Sequence, residues 1–207
     1  MERLLFMFIE EKLIASGITE IAGVDEAGRG ACAGPLVVVA VMLRDPHDQA
    51  LSEVRDSKEL SPKKREELFE VIIDQSTHYS IIEISPQEID EIGLHRSNLD
   101  GMRRAINALG VEPQYVLTDG YEIEGLGAPS LAVWKGDQVA LSISAASILA
   151  KVYRDRLMEK LDSKFPGYGL ANHKGYVTRA HEKALIDLGV SPIHRRSYAN
   201  ISALLNN

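Results

Sequence analysis

The stretch Ile21-Ala-Gly-Val-Asp25-Glu26-Ala-Gly28-Arg29-Gly30, running on to Pro35-Leu-Val-Val-Val-Ala-Val-Met-Leu43, decides the fold. The second run is dense in β-branched residues and reads as a buried strand. Ile21 to Asp25 reads as a shorter strand ahead of it, and the glycines between them provide a tight connection. Downstream, Ser61-Pro62 followed by Lys-Lys-Arg-Glu-Glu-Leu-Phe-Glu supplies an N-cap, a proline at the first helical position and an amphipathic continuation. Tyr79 to Ile84 reads as a strand, Ser85-Pro86 opens a helix, and Asn98 to Leu109 is a helix closed by Gly110.

Two further strands follow, Tyr115 to Thr118 stopped by Asp119-Gly120, and Leu131 to Trp134 stopped by Lys135-Gly136-Asp137. From Val139 to Leu161 there is neither glycine nor proline. Ala145, Ile148 and Val152 recur there at helical spacing, beside a polar row of Ser144, Ser147, Lys151 and Arg154. Gly167 to Tyr176 reads as loop, Thr178 to Leu188 as a helix stopped by Gly189, and Ser191-Pro192 begins a final segment ending in a short helix. Strands in hairpin-like succession, then strands mixed with helices, predict an α/β layered domain with a mixed sheet.

The 207 residues, 45% of them apolar, suit one domain with a substantial core. The N-terminal apolar patch is followed at once by acidic residues, with no leader-type cleavage site and no run long enough for a membrane span. The single cysteine, Cys32, excludes an intramolecular disulfide and a cysteine-rich zinc cluster; a cytoplasmic location and a small-hydrophobe role for Cys32 are expected. A net charge of −7 argues by itself against a nucleic-acid partner. Distribution matters more than the sum: acids gather between Glu83 and Glu91, while basic clusters sit at Lys63-Lys64-Arg65, Arg103-Arg104 and Arg195-Arg196.

Asp25, Glu26, Asp119 and Asp137 all fall at strand ends or in the turns beyond them, where a rigid sheet fixes a side chain and a loop gives access. Oxygen-only ligands without ordered histidine spacing favour a hard cation, Mg²⁺ or Mn²⁺, over zinc. Taken singly, each aspartate reads equally as a turn cap. Gly28-Arg29-Gly30 allows close backbone approach to a ligand and offers donors to a phosphate, though a plain tight turn would use the same residues. Asp25 and Glu26 are adjacent and would point to opposite faces of a regular strand, so Glu26 is expected where the strand breaks.

Together these pieces carry a resemblance. Gly23-Val-Asp25-Glu26-Ala-Gly28-Arg29-Gly30 with Gly34-Pro35, Asp56-Ser57-Lys58-Glu-Leu-Ser61-Pro62, Thr118-Asp119-Gly120, Lys135-Gly136-Asp137, Ser144-Ala-Ala-Ser147-Ile-Leu-Ala-Lys151-Val-Tyr-Arg154-Asp155, Lys174-Gly175-Tyr176 and His194-Arg195-Arg196-Ser197 occur in one order between residues 23 and 198. The chain thereby resembles ribonuclease HII. The resemblance implies a ribonuclease-H-like mixed sheet flanked by helices, and an endonuclease for the RNA strand of RNA/DNA hybrids and for single ribonucleotides embedded in duplex DNA. It implies that Asp25, Glu26, Asp119 and Asp137 hold the catalytic metals. Gly28, Arg29 and Gly30 would then meet the ribose 2′-hydroxyl, with Tyr176 stacked on the neighbouring sugar. Tyr198 stands where many relatives carry phenylalanine.

A two-metal in-line displacement leaving 5′-phosphate and 3′-hydroxyl ends would follow. Tyr176 reads otherwise as a core tyrosine anchored by its hydroxyl. Ser144, Ser147, Lys151 and Arg154, extended by Lys58, Lys174, Arg195 and Arg196, could form a phosphate-contacting strip, or a solvated helix face. Lys63, Lys64 and Arg65 read as the solvated face of their helix. His173, His181 and His194 have no metal-ligand spacing and read as structural or phosphate-contacting. A monomer is the default. The competing functions are a non-catalytic hybrid-binding module and a metal-dependent nuclease acting on DNA alone.

Overall fold

The apolar run of residues 36–43 is covered on both faces, which is why it does not alternate with polar side chains. In a computed structural model, which describes residues 8–206, it forms β2 (Leu36–Leu43). Val37, Val39 and Val41 enter one core layer, and Leu36, Val38, Ala40 and Met42 enter the other. Each of these valine, leucine and methionine side chains contributes about 1.5–3 kcal/mol by leaving water.

Among the described residues, β2 belongs to a sheet of five strands ordered β3-β2-β1-β4-β5. The others are β1 (Ile21–Ala27), β3 (Ser76–Ile84), β4 (Tyr115–Asp119) and β5 (Ser130–Val133). β1 pairs antiparallel with β2 and parallel with β4; β2 and β3 are antiparallel, and β4 and β5 parallel. The sheet is therefore mixed, with the carboxyl ends of β1 and β4 side by side.

The helices are α1 (Phe8–Ala15), α2 (Pro62–Gln75), α3 (Pro86–Ile92), α4 (Leu94–Asn107), α5 (Leu141–Lys164), α6 (Leu170–His173), α7 (Arg179–Leu188) and α8 (Ala199–Leu205). α2 and α5 cover one face of the sheet and α4 the other. The Ser-Pro signals mark helix starts as expected: Ser61 and Ser85 side chains accept from the backbone N–H of Lys64 and Glu88. α5 lies against β1 so closely that a Cβ at Gly23 would fall 2.1 Å from the Ser142 carbonyl carbon. No side chain larger than hydrogen fits there.

Several boundaries differ from the sequence reading. β3 begins at Ser76, because pairing with β2 extends the ladder through polar residues that carry no apolar signal. α4 begins at Leu94, where Gly93 breaks the chain at φ 84°. The stretch 167–176 contains the single turn α6, and Trp134 lies just outside β5. The N-terminal patch at residues 1–7 lies outside the described residues. Among those described, no helix is long and apolar enough to cross a membrane.

Candidate active site

β1 carries two consecutive acids to its carboxyl end. Glu26 does not sit at a strand break: it is within the ladder, opposite Val38, while Asp25 is opposite Val39. The two carboxylates therefore leave on opposite faces, Asp25 toward the α5 layer and Glu26 toward the α4 layer. Both still reach one cleft because it lies across the strand end. The cleft, about 270 Å³, is lined by both acids, by Gly28, Arg29 and Gly30, and by Asp119, Lys58 and Tyr176, among others. Asp137 lies in an adjoining cleft that shares Glu26, Arg29, Lys58 and Asp119 with the first and is bounded by Trp134, 82% exposed.

Asp119 ends β4, and its Oδ1 accepts the Gly136 N–H at 2.7 Å. Asp137 is held in a 3₁₀ turn, Gly136–Gln138; its backbone carbonyl accepts Ser144 Oγ at 2.7 Å and its Oδ2 accepts Lys58 Nζ at 2.9 Å. Asp25 Oδ1 accepts the Glu26 N–H at 2.7 Å, and Glu26 Oε2 is buried without a partner. Burial, then the charges of Glu26 and Asp119, push the Asp25 carboxyl well above the usual range. Burial likewise raises Glu26, to about 7, despite Arg29, with Asp119 adding to the rise. Asp119 is raised by burial against the opposing Gly136 N–H.

Uncompensated carboxylates around one cleft fit a hard divalent cation, whose charge would reverse each of these shifts. The orphaned Glu26 oxygen is a free donor for it. As the side chains stand, no three of them among the described residues close on one ion, since Asp137 is turned to Lys58 and Asp119 to Gly136.

The opposite wall is built from backbone. Gly28 has φ 92°, and a Cβ there would fall 1.8 Å from Arg154 Nε, so conformation and space both require glycine. Arg154, 1% exposed, donates to the carbonyls of Ala33, Pro35 and Lys174. Arg195, 0% exposed, donates to the carbonyls of Gly34 and Arg29 and to the Tyr198 hydroxyl. The Tyr198 hydroxyl in turn donates to the Arg29 carbonyl at 2.5 Å. Tyr176, 38% exposed, places its ring so that a Cβ on Gly30 would sit 3.6 Å from Cε1.

The expected strip of basic and hydroxyl groups is thus divided. Lys58, Ser147 and Lys151 line the cleft. Ser144, Arg154 and Arg195 do not face solvent: they are buried, with donors on backbone or tyrosine oxygens, and only Nη2 of Arg195 among these donors is left without a partner. Lys174 pairs with Glu159, and Arg196 lies on the exposed surface with its backbone N–H on Asp90. The solvated-face reading holds for Lys63, which is 89% exposed, and fails for Arg65. Arg65 lines the cleft and donates to the carbonyls of Ser57 and Leu60. Ser57, bonded to Ser147 at 3.0 Å, and Asp56, whose side chain accepts from Lys58 N–H and Gln138, also belong to the site's frame. Both stand in the quoted Asp56-Ser57-Lys58 motif, the signal that could have found them. Tyr121 had none; it underlies Arg29, whose Cζ is 4.7 Å from the ring centre.

A mixed sheet with acids at the carboxyl ends of adjacent strands defines a ribonuclease-H-like hydrolase. The solved ribonuclease H2 of Pyrococcus horikoshii OT3 superposes with a TM-score of 0.78 at 32% identity, covering 90% of this chain and 97% of that one. The Ribonuclease HII family model matches residues 22–201. Ribonuclease HII of Corynebacterium jeikeium is 52% identical over 94% of this chain and 94% of its own length. That of Acidothermus cellulolyticus is 51% identical over 93% of this chain, which spans 62% of the length of that relative. The chain belongs to the ribonuclease HII family and is an endoribonuclease.

Proposed function

We propose that the enzyme cuts the RNA strand of RNA/DNA hybrids, and cuts on the 5′ side of a single ribonucleotide embedded in duplex DNA. One observation carries the reading: Asp25, Glu26 and Asp119 share a cleft with the Gly28–Gly30 backbone and the Tyr176 ring. A protein that separates RNA from DNA needs polar groups at the 2′-hydroxyl. Backbone N–H groups of residues 28–30 supply them, the carbonyls of Gly28 and Arg29 being taken by Ala31, Arg195 and Tyr198, and the absence of a side chain on Gly30 leaves room beside Tyr176 for a sugar.

Two divalent cations, Mg²⁺ or Mn²⁺, bound by Asp25, Glu26, Asp119 and Asp137 would activate water and stabilise the leaving 3′-oxygen, giving 5′-phosphate and 3′-hydroxyl ends. The sheet holds those carboxylates in place before substrate arrives. Lys58, its side chain 77% exposed, leaves Asp137 for a phosphate, with Arg29, Ser147 and Lys151 completing the contacts. Ser144, Arg154 and Arg195 act from behind, through the backbone they hold. Lys174 and Arg196 would meet only a duplex that runs on past the cleft. We take the chain as one catalytic domain closed by the short α8, acting as a monomer in the reducing cytoplasm, which suits the buried, unbridged Cys32.

The test is cleavage of end-labelled duplex DNA carrying one ribonucleotide, and of a long hybrid, beside all-DNA and all-RNA controls, with Mg²⁺ and then with EDTA. Metal-dependent cutting at the ribonucleotide alone is expected. Cutting of the all-DNA control, or tight binding without cutting, would refute the proposal.

A further inference from the structure

Behind Tyr176, away from the acids, lie His173, His181 and His194, and their hydrogen bonds fix which nitrogen of each ring carries the proton. Around His194 Nδ1 lie the Ser191 hydroxyl at 2.8 Å, the Ser191 N–H at 3.1 Å and, farther off, the Ser191 carbonyl at 3.3 Å; the two nearer groups can both donate, so that nitrogen presents its lone pair to them. A neutral His194 then has its proton on Nε2. That nitrogen is 3.1 Å from His181 Nε2, which must accept. His181 therefore carries its proton on Nδ1, and that atom lies 3.0 Å from the carbonyl oxygen of Tyr176. The other end agrees: a carbonyl oxygen can only accept, and that of Tyr176 at 3.0 Å is a nearer partner of His181 Nδ1 than Cys32 Sγ at 3.7 Å. His173 is fixed independently: its Nδ1 accepts the Gly175 N–H at 3.2 Å and its Nε2 donates to the Tyr168 carbonyl at 2.8 Å. Its ring stacks on that of His181, with centres 4.3 Å apart.

We propose that His194 and His181 form a one-directional imidazole relay that sets the position of Tyr176. It runs from the Ser191 N–H through both rings to the Tyr176 carbonyl. His181 and His194 are 0% and 1% exposed, so neither can exchange these partners for water. The rest of the loop is held by other groups: Arg154 binds the Lys174 carbonyl, and the Cys32 and Ala33 N–H groups bind that of Gly175. The Tyr176 carbonyl is the one that depends on an imidazole. His181 and His194 are thus positioning residues, acting on the substrate only through Tyr176. This rests on the reading of Tyr176 as a residue beside the ribose.

Two measurements on the full chain test the relay. Long-range ¹H–¹⁵N spectra of the histidine rings near pH 7.5 should show His181 protonated on Nδ1, and His194 and His173 on Nε2. A His181 protonated on Nε2 overturns the relay, whatever the enzyme cuts. In cleavage of a duplex with one ribonucleotide, His194→Phe should lower kcat/KM by about 3–10-fold, the scale of one lost hydrogen bond. His194→Gln, whose amide can still donate to His181, should restore most of it. In a Tyr176→Ala background the same His194→Phe change should have almost no further effect. Losses that multiply in the double variant would mean that His194 does not act through Tyr176. If neither duplex is cut by the parent enzyme, the substrate reading falls, and the ring spectra still decide the relay.

Discussion

The cleft has two walls of opposite physical character. On the acid wall, Asp25, Glu26 and Asp119 share one cleft, each carboxyl raised by burial and by neighbouring carboxylates more than the nearby cations and N–H groups lower it, with one Glu26 oxygen unpartnered. On the backbone wall beside Gly28–Gly30 and Tyr176, carbonyls of residues 29, 33–35 and 174–176 receive donors from buried arginines, a tyrosine hydroxyl, a histidine or backbone N–H groups. The first wall stores repulsion that a cation can relieve. The second satisfies its carbonyls internally, leaving one buried Arg195 nitrogen unpartnered, and presents a fixed surface. Binding charge and recognising shape require these opposite conditions, and the fold separates them by building one on strand ends and the other on buried guanidinium and imidazole groups.

The contrast breaks most visibly at Asp119. Asp119→Asn should reduce cleavage by about 10²–10³-fold, since charge stabilisation of the transition state is commonly worth that much. Thermal unfolding of the metal-free variant should show no loss of stability, because a like charge has been removed. A variant with near-normal turnover at saturating Mg²⁺ would remove Asp119 from the catalytic set. Next comes the backbone wall: Arg154→Leu leaves three carbonyls, those of Ala33, Pro35 and Lys174, without this donor, and should cost about 3 kcal/mol in urea unfolding, at roughly 1 kcal/mol for each. A loss below about 1 kcal/mol would mean that the wall is not held as described.

The walls should also answer pH with opposite signs. Glu26, raised to about 7 from an ordinary 4.5, keeps its proton in the folded chain where the unfolded chain has lost it. Metal-free stability from this group is therefore present below about 4.5 and lost as pH rises toward 7. His194 is lowered from 6.5 to about 4, first by burial and then by the neighbouring His181, with His173 adding to the fall. Its stabilisation is present above about 6.5 and lost as pH falls toward 4. Each effect is at most about 3 kcal/mol. With EDTA present, Glu26→Gln should soften the decline on the alkaline side, to which the raised Asp25 and Asp119 also contribute, and His194→Gln should soften the decline on the acid side; one variant abolishing both would contradict the separation. The smallest effect is expected at Lys63, outside both walls, where Lys63→Ala should change stability and cleavage by no more than about 0.5 kcal/mol.

Much of this was legible in the chain of residues. The apolar run at 36–43, the Ser-Pro helix starts and the Asp-Gly strand stops are local signals, and local steric and capping rules turn them into elements. The four acids could be picked out because each lies near the end of such an element, Asp25 and Glu26 in the last ladder positions of β1, Asp119 at the end of β4 and Asp137 in the turn after β5. Polar residues with no local signal were harder: residues 76–78 join β3 only because β2 offers them a ladder, and Arg65 turns from solvent to the cleft only because Ser57 and Leu60 present carbonyls to it.

The sequence by itself determined the strands and most helices and the family, and it pointed to the four acids as candidates, because these depend on residue type and near neighbours. Tertiary structure alone decided that Glu26 lies inside the ladder, on the face opposite Asp25. It alone decided that Arg154 and Arg195 are buried braces rather than phosphate contacts, and that His194 and His181 stand in line behind Tyr176. An arginine or histidine has the same donors in water as in a core. Only the folded chain, by removing water and offering carbonyls from distant segments, determines where those donors point.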